Sequence, residues 1–141
     1  MLRWLYRFAD RLRQGAADPG AAATGSHGED LAHRHLQAHG YWVVARNYRP
    51  PSGRGEIDLV AWEGNTLVFV EVKTRSSEEF GTPDRAVDAE KERLLDGAGR
   101  DYARRAGVAA DRLRFDLVNV VMSRPPRVQL LRDAFHLTQT I

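Results

Sequence analysis

Two carboxylates and an amine on one predicted β-hairpin are the residues best suited to chemistry. Glu56–Trp62 and Thr66–Thr74 read as strands, the second rich in β-branched and aromatic types, with Gly64-Asn65 as a two-residue turn. With that turn, Glu63 pairs with Thr66, and the count places Asp58 opposite Glu71 and Glu56 opposite Lys73. Side chains alternate along a strand, so Glu71, Lys73 and Arg75 share a face, and Asp58 projects from it too. Directly opposed carboxylates destabilise a sheet by roughly several tenths of a kcal/mol. A cation between them removes that cost, and a hard one such as Mg²⁺ prefers carboxylate oxygens and several waters. Lys73, one side-chain step away, could orient a water or balance charge on a phosphate.

The competing reading of Glu71-x-Lys73 is a solvated strand face with a local ion pair, an ordinary arrangement worth little energy. Two features weigh against it. Val68, Val70 and Val72 fill one face while Leu67 and Phe69 make the other apolar, the pattern of a strand buried on both sides. Charges that emerge at the end of a buried strand need a reason. The inference depends on the turn, because a one-residue change of parity would put Asp58 and Glu71 on opposite faces.

Asp58 followed by Glu71-Val72-Lys73 resembles the PD-(D/E)xK nuclease superfamily. A longer ordered set comprises Asn47-x-Arg49, Gly55-Glu-Ile-Asp-Leu59, Phe69-Val-Glu-Val-Lys-Thr-Arg75, Phe80-Gly81-x-Pro83, Arg114-Phe-Asp116 and Asp133-Ala-Phe135. It resembles the YraN family of bacterial proteins over roughly Gly25–Phe135. The resemblance implies a restriction-endonuclease-like core, similar to archaeal Holliday-junction resolvases, and Mg²⁺ or Mn²⁺ as cofactor. It implies a metal held by Asp58, Glu71 and the carbonyl of Val72, with Glu29 as a further acidic position on the first helix. Lys73 would act on the attacking water. Lys91 matches a lysine of the family pattern on the helix after the hairpin, where related nucleases point a polar residue at the site. A plain surface lysine is the other reading of it.

Composition bounds the alternatives. At 141 residues the chain is long enough for one domain with a real core. A net charge of +2 means that any nucleic-acid surface must come from locally clustered arginines. With 0 cysteines, disulfides and thiolate zinc sites are excluded, which fits a reducing, cytoplasmic setting. No apolar run reaches membrane-spanning length.

The remaining elements follow in order. Residues 1–13 have the helical spacing of a basic amphipathic helix, able to dock on its own domain, a partner or a membrane, but they do not read as a secretory signal. Gln14–Ala23 reads as a Gly/Ala/Pro linker, and residues 1–24 as an extension preceding the nuclease-like domain, 25–141. Ser26-x-x-Glu29 reads as a capping box opening a helix that runs to His39, so Glu29 has a structural reading beside its metal-facing one. His27, His33, His35 and His39 have no accompanying cysteines and read as surface or core residues.

Tyr41–Ala45 reads as a strand, followed by a basic loop, Arg46–Gly55. Arg49 and Arg54 in that loop, with Arg75, suit phosphate contact, and Tyr48 suits base stacking. Glu56 is open between pairing with Lys73 or Arg75 and binding metal. Thr82-Pro83-Asp84 predicts a helix start, and the helix continues to Ala106 with Ala86 or Val87, Leu94, Ala98 and Tyr102 toward the core. Gly97 and Gly99 should weaken it. Arg112–Met122 and Val128–Leu131 read as strands, the last at an edge, and Thr138–Ile141 as a loose tail. Asp116 takes a structural role, since Asp58 and Glu71 already form the pair.

The order helix, strand, hairpin, helix, strand, strand predicts an α/β fold with a mixed central sheet flanked by helices. Its first functional expectation is a divalent-metal-dependent endonuclease acting on nucleic acid; resolvase analogy points to branched DNA and a homodimer. The alternatives are a non-catalytic nucleic-acid-binding module on the same fold, and an interaction protein using residues 1–13 to reach a membrane or partner.

Overall fold

The computed structural model describes residues 19–76 and 89–135. Helix α1 (Pro19–Ala38) leads into strands β1 (Trp42–Tyr48), β2 (Ile57–Glu63) and β3 (Thr66–Ser76). Helix α2 (Ala89–Ala106) and a short 3₁₀ turn (Ala110–Arg112) then lead to β4 (Leu113–Met122) and β5 (Arg127–Phe135). The five strands lie in sequence order in one sheet. β1–β2, β2–β3 and β4–β5 are antiparallel, and β3–β4 is parallel. A parallel pair cannot be joined by a tight turn, which is why α2 intervenes between β3 and β4. The expected mixed sheet flanked by helices is therefore the architecture.

Each helix covers one face. On the α1 side, Ala32 and Leu36 pack with Leu59, Ala61, Val68, Val70, Val118 and Val120. On the α2 side, Leu95, Ala98, Tyr102 and Ala103 pack with Val60, Leu67, Phe69 and Phe115. β3 contributes alternate residues to both clusters, which explains its apolar character on both faces. α2 runs so close to the sheet that a Cβ on Gly99 would lie 2.8 Å from Phe69 Cδ2 and 2.9 Å from Phe115 Cζ. Gly99→Ala should thus destabilise the protein by roughly 1–3 kcal/mol through overpacking, although alanine is the better helix former. Urea unfolding of that variant checks this, and an unchanged midpoint would refute it.

Several boundaries differ from expectation. Pro19–Ala23 is helix rather than linker, and Ser26 lies inside the helix and not at its start. The run Ala21-Ala22-Ala23 favours helix there. β1 extends through Arg46, Asn47 and Tyr48, which had read as loop. All three are buried, and Arg46 reaches α1, where Nη1 lies 2.7 Å from Asp30 Oδ1 and Nη2 3.4 Å from Glu29 Oε2. In α2 it is Leu95, not Leu94, that enters the core, at i, i+3, i+7 spacing with Ala98 and Tyr102. β5 extends past Leu131 to Phe135 and does lie at an edge. The basic stretch 1–13, the Phe80–Pro83 turn, the expected helix start at Thr82–Asp84, Ala86, Val87 and the tail from Thr138 lie outside the described residues.

A polar knot ties the hairpin end of the sheet together. Asp116, fully buried on β4, accepts hydrogen bonds from the Tyr41 hydroxyl (2.8 Å), Arg114 Nε (2.8 Å), Arg114 Nη2 (2.8 Å) and the Asp133 backbone N–H (3.0 Å). Arg114 also ion-pairs with Glu63 at 2.9 Å, and Arg132 reaches the same carboxylate at 2.8 Å. Arg114-Phe-Asp116 and Asp133-Ala-Phe135 thus meet in one structural network.

Candidate functional site

The register of the hairpin positions the acidic pair. Pairing runs from Glu63↔Thr66 to Leu59↔Val70, so the next step sets Asp58 against Glu71. There the ladder gives way to a side-chain bond: the Val72 backbone N–H donates to Asp58 Oδ2 at 2.8 Å. Glu71 is buried beside Leu117 of β4, and the Lys91 ammonium from α2 ion-pairs with its Oε1. Asp58, Glu71, Glu56, Glu90, Lys91, Gly55, Leu94 and Leu95 line one cleft of about 400 Å³. Gly55 lets the loop reach the helix: it has φ +85, and a Cβ there would lie 2.7 Å from the Leu94 carbonyl oxygen.

The electrostatics of the cleft disfavour two charged carboxylates side by side. Burial pushes the Asp58 carboxyl well above the usual range and the Glu71 charge adds to it; the Val72 N–H opposes them, while Glu29 and Glu56 push it up further. Two close carboxylates and a neighbouring carbonyl suit Mg²⁺ or Mn²⁺, ions that keep several waters. Among the described residues no group of three His, Cys, Asp or Glu side chains is arranged to hold a metal, so Glu29 does not complete a three-carboxylate set. Its carboxylate is instead engaged by Arg46.

The other expected residues take these places. Lys73 and Arg75 follow Glu71 on β3, half-buried, beside Asn119 and Val121 of β4. Arg49 is exposed and pairs with Glu56 at 2.9 Å. Arg54 is exposed and lines a neighbouring groove rather than the acidic cleft. His39 Nδ1 lies 2.7 Å from the His35 carbonyl oxygen, and the two rings stack at 4.1 Å.

The fold brings two asparagines beside the acidic pair: Asn47, already part of the ordered motif set, and Asn119, which the sequence reading missed. Asn47 falls opposite Asp58 in the β1–β2 register, with φ 53 and a buried amide nitrogen that has no hydrogen-bond partner. Asn119 stands beside Lys73, 98% buried, with neither amide atom bonded. An asparagine interrupting the apolar run Leu117–Val121 was the available signal. An unsatisfied buried amide costs about 1–3 kcal/mol. Asn119→Leu is accordingly expected to raise the unfolding midpoint by roughly 2–4 °C. A melting curve checks this, and an unchanged midpoint would refute it.

A mixed α/β protein with a facing acidic pair and an adjacent lysine on a central strand is the class that fold and site define. The chain belongs to the uncharacterised protein family UPF0102, the YraN family, whose model matches residues 28–120. A UPF0102 protein of Solibacter usitatus is 54% identical over 96% of this chain and 100% of its own length. One from Koribacter versatilis is 38% identical over 94% of this chain and 92% of its own. One from Rhodococcus jostii is 44% identical over 80% of this chain and 96% of its own. The matched span runs from within α1 to within β4, and so includes both Asp58 and Glu71.

Proposed function

We propose that this protein is a Mg²⁺- or Mn²⁺-dependent endonuclease with a restriction-endonuclease-like core, acting in the cytoplasm on nucleic acid, with branched DNA as the preferred class and a homodimer as the working form. The observation that carries the reading is the hydrogen-bonded, partly buried Asp58 carboxylate set against Glu71 in one cleft. A fold that only bound nucleic acid would have no use for opposed carboxylates that repel phosphate. Among the described residues no helix is long and apolar enough to cross a membrane.

In this mechanism Asp58, Glu71 and the Val72 carbonyl would hold the metal. A divalent ion bound there would supply a water of lowered pKa and neutralise charge on the phosphate. Lys73 would orient the attacking water and steady the charge that develops on the phosphoryl oxygens. Lys91 anchors the Glu71 carboxylate in the cleft. Arg49 and Arg75 meet flanking phosphates, which makes affinity fall with salt.

Calorimetric Mn²⁺ titration, beside cleavage of branched, flapped and single-stranded substrates, tests the proposal. Wild type should bind Mn²⁺ and cut at least one substrate. Lys73→Ala should still bind the ion but cut on the order of 10²–10³-fold more slowly. No Mn²⁺ binding at millimolar concentration, with and without DNA, would refute the reading and leave the binding module.

A further inference from the structure

We propose that the groove between the 50–54 loop and α2 is a track that grips the sugar-phosphate backbone of one nucleic-acid strand as it leaves the acidic cleft. The proposal rests on the nuclease reading and assigns the cleft's substrate a single-stranded arm. The groove encloses about 470 Å³ and shares Glu90 and Leu94 with the acidic cleft, so the two adjoin. Its volume is that of a small-ligand pocket, on the order of 300–1,000 Å³. That admits a nucleotide or two of one strand, and not a duplex.

Charge and shape both fit a backbone. Arg54 comes from the loop, Arg93 and Arg104 from α2. Arg100, Arg104, Arg105 and Arg114 all pair with carboxylates, whereas Arg54 and Arg93 have no ion pair with a described residue. Asp101 also lines the groove, but the Tyr48 hydroxyl, Arg104 and Arg105 already engage it. Among the described residues no aromatic side chain lines the groove, so these residues can hold phosphates without stacking bases, and recognition by them is independent of sequence.

Gly97 is the independent sign. It stands within α2 on the groove wall, and a Cβ there would meet nothing within 4 Å. Packing demands glycine at Gly99 but not at Gly97, where it only weakens the helix. An open groove accounts for the missing side chain.

Fluorescence anisotropy with a labelled single-stranded oligothymidylate, in EDTA so that nothing is cut, tests the proposal on the full chain. The wild type should bind the strand more tightly than thymidine monophosphate. Arg54→Ala/Arg93→Ala should lose roughly tenfold or more in affinity, and its slope of log K against log salt should shrink by about 1.4, as expected for two single-strand phosphates. Gly97→Glu should lose binding similarly, while Gly97→Ala should melt higher than wild type, which separates blocking of the groove from damage to the helix. Unchanged affinity and slope in the double variant would overturn the proposal, as would wild-type affinity no greater for the strand than for the mononucleotide. Groove-dependent binding by a wild type that cuts nothing with Mn²⁺ would support the groove and overturn only the nuclease reading.

Discussion

Asp58→Asn is expected to abolish metal-dependent cleavage, by about 10³-fold or more, and at the same time to stabilise the metal-free protein at neutral pH. Both effects follow from the same geometry. Burial and the facing Glu71 raise the Asp58 pKa in the folded state above its ordinary value of 3.8. Between the unfolded and folded values the native state holds a proton that the unfolded chain has released, so stability falls as pH rises through that window. Below 3.8 both states are protonated and the penalty is absent. Asparagine keeps the shape without the charge and removes the fall. Thermal melts of both proteins in EDTA across acid to neutral pH should diverge, with the variant gaining as pH rises. Mn²⁺ should then stabilise wild type more than the variant. Parallel pH profiles would mean that the Asp58 charge is not confined as described. A variant that still cuts would remove Asp58 from the mechanism.

Asp116→Ala should have the opposite signature, a large loss of stability with little change in the rate per folded molecule. The substitution strips four hydrogen bonds and leaves Arg114 and the Tyr41 hydroxyl facing a vacated, buried position. Breaking a buried charged pair by removing one partner costs roughly 3–5 kcal/mol. That is a large part of the 5–15 kcal/mol typical of a domain. Asp116→Asn retains some acceptor capacity and should cost less. Denaturant unfolding gives the stability, and single-turnover cleavage on the folded fraction gives the rate. A stable Asp116→Ala protein that has lost cleavage would move Asp116 from the structural knot to the active site.

How much could be read in advance varied with the range of the interaction. The hairpin was legible because Gly64-Asn65 is a local signal and strand alternation then carries the register forward to Asp58 and Glu71. The crossover helix was legible because strands joined by so long a connection do not pair as a hairpin. The reach of β1 was not. Arg46, Asn47 and Tyr48 look like loop residues until their partners on α1 and α2 are known: Glu29 and Asp30 for Arg46, Asp101 for Tyr48. The same holds for Leu94 and Leu95, neighbours in sequence 100° apart around a helix: both line the cleft, but only Leu95 is also buried in the core.

Residue order alone settled the family, the mixed α/β layering and the facing of Asp58 and Glu71, because each rests on local patterning: turn chemistry, strand alternation and an ordered motif. Tertiary structure decided which charges meet. It drew Glu29 to Arg46, Arg49 to Glu56 and Lys91 to Glu71, and it closed Asp116 into a knot with Tyr41 and Arg114. It also set the Asn47 amide nitrogen and both Asn119 amide atoms, buried and unbonded, beside the acidic hairpin. Such pairings depend on distance through space between elements far apart in the chain, and a side chain's type and neighbours in sequence carry no record of that distance.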